Sequence, residues 1–108
     1  KPTRLNLHLD HQPVSTFHSG APIVIAASAA SLTALRMLHR HVNQAEHFTT
    51  TPMRQDGNAF TATIPAAYTQ TAFPLQYYFE GDLGGRVGLH PGFQANFRGQ
   101  PYFIIRQV

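Results

Sequence analysis

The sequence predicts an all-β domain, an antiparallel two-sheet sandwich of about seven or eight strands, on three observations. Short runs rich in β-branched and aromatic residues alternate between apolar and polar positions. Gly, Pro, Asn and Asp punctuate those runs at short intervals. Charged residues make up only 12% of the chain, too few to clothe a set of amphipathic helices. With 108 residues there is room for one core, so a single module spanning residues 1–108 is expected.

Each strand has a local reason. Leu5, Leu7 and Leu9 alternate with Asn6, His8 and Asp10, which puts three leucines on one face until Pro13 ends the run. After Gly20 and Pro22, Ile23-Val24-Ile25-Ala26-Ala27 predicts a buried central strand. Residues 31–42 support two readings. Leu32, Leu35, Leu38 and Val42 recur near helical spacing behind Ser31 as an N-cap; as a strand, Leu35, Met37, His39 and His41 share one face and Arg36, Leu38, Arg40 and Val42 the other.

Thr49 to Met53 leads into the hairpin signature Asp56-Gly57-Asn58, followed by strict alternation through Phe60-Thr61-Ala62-Thr63-Ile64 and a stop at Pro65. A polar loop runs through Tyr68 and Thr71. Leu75 to Glu80 forms the next strand, with Leu75, Tyr77 and Phe79 inward. Gly84-Gly85 turns the chain into a short strand from Arg86 to Leu89, Pro91-Gly92 breaks it, and Tyr102-Phe103-Ile104-Ile105 closes the domain. Phe60, Ala62, Ile64, Leu75, Tyr77 and Phe79 are the core candidates.

The middle of the chain resembles the fibronectin III-like and immunoglobulin-like modules of bacterial exported proteins. The residues that carry the resemblance are Leu38-His39-Arg40, Met53, Asp56-Gly57, Phe60-Thr61-Ala62-Thr63-Ile64-Pro65 and Gln76-Tyr77-Tyr78-Phe79, with His39 where a tyrosine is common. The likeness spans residues 35–80. It implies an Ig/FN3-like sandwich, tips residues 31–42 toward a strand, and implies a spacer or docking role in a secreted or periplasmic multidomain protein, often a polysaccharide-active one. A first residue of Lys1 rather than Met fits a piece of a longer chain.

Charge and composition exclude several classes. The formal charge of +3 comes mostly from arginines scattered at Arg4, Arg36, Arg40, Arg54, Arg86, Arg98 and Arg106, without the basic stripe of a nucleic-acid binder. No apolar run approaches the roughly 20 residues of a membrane span, and no cysteine is present for a disulfide scaffold or a thiolate metal site. No catalytic pattern emerges either. Ser15, Ser19, Ser28 and Ser31 lie in no nucleophile-elbow context, Gly84-Gly85 lacks a phosphate-loop lysine, and Glu80 with Asp82 reads as a solvated loop edge. A non-enzymatic module without a cofactor is expected.

Two constellations remain. Seven histidines are many for this length, and His39-x-His41 followed by Glu46 resembles the first metal motif of the cupin β-barrels. It departs from that motif at Thr33 and Met53, where cupins carry glycine, and His90 precedes Pro91-Gly92 instead of following it. The other constellation is aromatic. Gln76, Tyr78 and Glu80 share the outward face of one strand, and Tyr68, Phe93 and Phe97 lie near turns, so Tyr68, Gln76, Tyr78, Phe93 and Phe97 are candidate sugar-binding residues, with a neighbouring domain as the competing partner.

Overall fold

The computed structural model describes residues 5–7, 9–43, 45–90 and 102–108. Among them run ten strands: β1 (Leu5–Asn6), β2 (Thr16–Phe17), β3 (Ile23–Ser28), β4 (Ala34–His41), β5 (Thr49–Pro52), β6 (Arg54–Asp56), β7 (Ala59–Ile64), β8 (Leu75–Leu83), β9 (Arg86–His90) and β10 (Phe103–Gln107). A 3-10 turn, Ala66–Thr69, lies between β7 and β8. The chain is all-β with two sheets.

The smaller sheet has the order β3-β7-β6. The larger is centred on β4 and β8, which pair antiparallel from Ala34↔Asp82 to His41↔Leu75; β5 lies on the free side of β4. The far edge of β8 is shared. Phe79 pairs with His90 of β9 and Tyr77 with Phe103 of β10, so two stretches of one edge flank β8 in succession. The N-terminal segment splits its contacts: β1 runs parallel to β9, Asp10 bridges Ser28 of β3, and β2 runs parallel to β10. Two expectations are corrected here. The sheets are not antiparallel throughout, and the expected seven or eight strands become ten among the described residues because the short β2 carries no sequence signal and the segment before the Asp56-Gly57 turn is broken into β5 and β6, which join different sheets.

Residues 31–42 resolve as strand β4. Ser31 adopts a left-handed φ of 73° instead of the extended conformation of an N-cap, and a period of two buries Leu35, Met37 and His39 while Val42 is left 38% exposed. A helix would have left eight rungs of β8 without a partner. Alternation also governs β3 and β7, whose buried positions Ile23, Ile25, Ala27, Phe60, Ala62 and Ile64 face Leu35, Met37, Leu75, Tyr77, Phe79 and Ile105 in one apolar core. All six predicted core residues are buried.

Gly81 marks the tightest approach in the larger sheet. A Cβ there would stand 2.9 Å from Leu7 Cδ1, 3.1 Å from Leu35 Cδ1 and 3.2 Å from the Ala34 carbonyl oxygen. The leucine tips can turn aside, but the carbonyl belongs to the β4–β8 ladder. Gly81→Ala is therefore expected to destabilise the domain by about 1–3 kcal/mol. An unchanged urea midpoint would show that the strands separate freely at that rung.

Candidate functional site

The two faces of β4 diverge chemically at its C-terminal end. His39 and His41 lie on the inward face, as the strand reading predicts, while Arg40 points outward. The chain then turns back through a loop that Asn43 organises: its Oδ1 accepts the Ala45 N–H at 3.0 Å, and its carbonyl accepts the Glu46 N–H at 3.0 Å. That turn delivers Glu46 to the end of the sheet.

On the inward side the Glu46 carboxylate accepts from His41 Nδ1 at 2.7 Å, from the His41 backbone N–H at 2.9 Å, and from the Tyr68 hydroxyl. His41 Nε2 meets the Tyr68 carbonyl oxygen at 2.9 Å. Carboxylate and carbonyl can only accept, so each of these contacts is made by a ring N–H of His41 when that nitrogen carries the proton. The Tyr68 ring stacks on that imidazole at 4.0 Å and 9°, and meets His39 edge-on at 4.8 Å. Burial works to raise the Glu46 carboxyl, but the Tyr68 hydroxyl and the two His41 donors outweigh it and hold the group at about 2. Burial, and then the hydrogen bond to Glu46, push the Tyr68 phenol above its ordinary value.

His39 is 3% exposed, and its Nδ1 is buried with no hydrogen-bond partner among the described residues. Burial holds its imidazole below the ordinary value, with Glu46 opposing and His41 adding to the effect. The cupin-like set is not assembled. His41 and Glu46 spend their donors and acceptors on each other and on Tyr68, and among the described residues no group of three or more His, Asp or Glu could hold a metal.

The outward side is a different surface. Cross-strand pairing sets Arg40 opposite Gln76, Leu38 opposite Tyr78 and Arg36 opposite Glu80. Arg36 is neutralised: its Nε donates to Glu80 at 3.1 Å and its two terminal nitrogens to Asp82 at 3.2 and 3.0 Å. These bonds to Asp82, with the Glu80 bond, raise the Arg36 guanidinium above its usual value, and the same contact lowers Asp82. Glu80 and Asp82 therefore belong to strand β8 and to an ion-paired cluster, not to the solvated loop edge the sequence suggested.

Arg40 has neutral partners. Its Nε donates to the Gln76 side-chain carbonyl and one terminal nitrogen donates to the Glu46 backbone oxygen at 3.0 Å. Its guanidinium carbon lies 4.6 Å above the Phe48 ring, and Phe48 meets Tyr78 edge-on at 5.1 Å. Phe48, Tyr78 and Leu38 are half-buried on this face.

The five predicted sugar-binding residues do not converge on one site. Tyr78 lies on the outward face; Gln76 shares it but is 2% exposed and orients Arg40 instead of offering itself to a ligand. Tyr68 lies on the inward side of the Glu46 loop, packed on His39 and His41. Phe93 and Phe97 lie outside the described residues. Sequence reasoning missed Arg40 and Phe48 as neighbours of Tyr78. The signal was the outward parity of Arg40 on β4, extended one rung past the His39↔Thr49 pair to Phe48. In comparisons with known proteins, no family model and no curated protein matches the chain.

Proposed function

We propose that the chain is an immunoglobulin-type accessory module of an exported multidomain protein, non-catalytic, which meets its partner through the outward face of the larger sheet around Tyr78. The observation that supports the fold reading is the route of the N-terminal segment. It bridges to β3 of the smaller sheet at Asp10, then pairs parallel with β10 of the larger one, beside sheets ordered β3-β7-β6 and β5-β4-β8. Sandwiches of that type divide their strands in this way. The face itself has the anatomy of a contact surface, a half-buried apolar centre of Leu38, Phe48 and Tyr78 ringed by the Arg36–Glu80–Asp82 and Arg40–Gln76 groups. The export expectation comes from the resemblance of residues 35–80.

A photo-crosslinking side chain at position 38, in the parent protein, is expected to capture an adjoining domain. Absence of any such cross-link would overturn docking through this face. A second reading, glycan binding, is favoured by the aromatic pair Phe48 and Tyr78. Affinity electrophoresis in a panel of soluble polysaccharides tests it: retardation abolished by Tyr78→Ala supports a sugar ligand, and no retardation in any gel sinks it.

A further inference from the structure

We propose that Arg40, Phe48 and Tyr78 form an anion-reading subsite whose ligand is an acidic polysaccharide built of uronate units; the proposal rests on the glycan reading of the outward face. The argument starts from charge. A guanidinium has five N–H donors in a planar fork. Arg40 spends one on Gln76 and one on the Glu46 carbonyl, and its remaining donors have no partner among the described residues. Both partners are neutral. The Glu46 carboxylate, which could have neutralised it, is turned to the other side and committed to His41 and Tyr68.

The two ends of the face differ for this reason. At one end Arg36 is matched by Glu80 and Asp82. At the other, Arg40 keeps its charge, and Arg106 lies exposed on the same side, two residues beyond Ile104, which pairs with Gln76, with no side-chain partner among the described residues. This end of the sheet is complementary to an anion.

The side chain is also held in place. Phe48 beneath the guanidinium and the two acceptors on either side of it fix the fork, so little rotamer freedom remains to be lost on binding. Beside it stand the Phe48 and Tyr78 rings, 5.1 Å apart. A uronate carries its carboxylate directly on the pyranose ring. One sugar unit can therefore lay an apolar ring face against the aromatics and give its carboxylate to Arg40. An acidic protein side chain brings the charge without the ring, and a neutral sugar the ring without the charge.

The test is affinity electrophoresis of the intact chain in polygalacturonate, a neutral galactomannan and poly-L-glutamate, with folding of every variant checked by circular dichroism. Retardation is expected in polygalacturonate, decreasing with added salt. Arg40→Ala is expected to weaken it roughly tenfold or more, the scale of a hydrogen-bonded charge. Arg40→Lys, which keeps the charge but loses the fork, is expected to weaken it less, and serves if the alanine variant does not fold. Arg54→Ala, on the smaller sheet, removes one charge and is expected to leave retardation unchanged. Equal retardation in galactomannan would overturn the charge reading while leaving glycan binding intact. Equal retention by poly-L-glutamate, or equal loss in Arg54→Ala, would reduce the effect to net charge and overturn the site. Retardation in no gel would sink both the subsite and the glycan reading.

Discussion

Tyr77→Phe is expected to destabilise the domain by about 2–3 kcal/mol, although it removes a single oxygen from a side chain that is 0% exposed. That oxygen joins three segments. It accepts the Val14 backbone N–H at 3.1 Å and donates to His11 Nε2 at 2.7 Å, while His11 Nδ1 gives its proton to the Ala26 carbonyl at 2.6 Å. The carbonyl can only accept, so the proton of the neutral imidazole lies on Nδ1 and Nε2 offers its lone pair to tyrosine. The chain Val14–Tyr77–His11–Ala26 thus ties the N-terminal segment to β8 of the larger sheet and to β3 of the smaller one.

Burial pushes the Tyr77 phenol up to about 12, with the Val14 amide opposing, and burial likewise lowers His11, the Ala26 bond opposing and His90 adding to it. Phenylalanine preserves the ring contacts with His11, Phe79 and Phe103 but strands one donor and one acceptor in the interior. The loss corresponds to a fall in Tm of roughly 10–20 °C for a domain of this size. His11→Ala in the same background is expected to cost much less than His11→Ala alone, because the partner is already gone. Additive losses would show that the two groups stabilise the fold independently.

The sequence made this fold legible wherever a strand buries one face. Residues 59–64 alternate strictly and their burial follows the alternation, and in residues 75–79 the apolar positions Leu75, Tyr77 and Phe79 are buried as their parity requires, with Gln76 buried as well. Residues 31–42 were ambiguous because Leu32, Leu35, Leu38 and Val42 recur near helical spacing while Leu35, Met37 and His39 share one face at the strand period, and only the eight rungs offered by β8 decide between them. The parallel edges were hidden for another reason. Segments of two residues, such as β1 and β2, carry no periodicity, and their partners lie more than 80 residues away in sequence.

For the candidate site, Tyr78 could be read from parity alone. Its neighbour Phe48 comes from a loop and reaches the face only through the β4–β5 pairing, and Arg40 becomes distinctive only when the Glu46 carboxylate is seen to turn away from it. Three-dimensional commitment of charges, more than their number, separates Arg40 from Arg36. One arginine is spent within the fold and the other is presented by it.

Glu46→Gln is expected to act on both properties at once, since the carboxylate closes the loop on the inward side while its backbone holds Arg40 on the outward side. The carboxylate takes three donors, His41 Nδ1, the His41 amide and the Tyr68 hydroxyl. An amide keeps one acceptor oxygen and turns an NH2 toward donors, which is expected to destabilise the domain by about 1–3 kcal/mol near neutral pH. The pH dependence identifies the cause. Glu46 is lowered from 4.5 to about 2 on folding, so its contribution is complete above pH 4.5 and is lost as pH falls through about 2.

His11 and His39 are also lowered from 6.5, so their contribution is complete above that value and is lost as pH falls through their depressed folded values. The natural chain is therefore expected to lose stability in two stages on acidification, an upper stage from the two histidines and a lower one from Glu46, joined by the Asp82 carboxyl that Arg36 holds low. Glu46→Gln is expected to keep the upper stage and lose the share of the lower one that the Glu46 carboxyl supplies. Urea midpoints between pH 7.5 and 2, compared for the two proteins, read this directly: the curves are expected to converge below pH 4.5. Curves that stay parallel to pH 2 would show that the carboxylate is not held by His41 and Tyr68, and would leave the orientation of Arg40 without the support that the loop gives it.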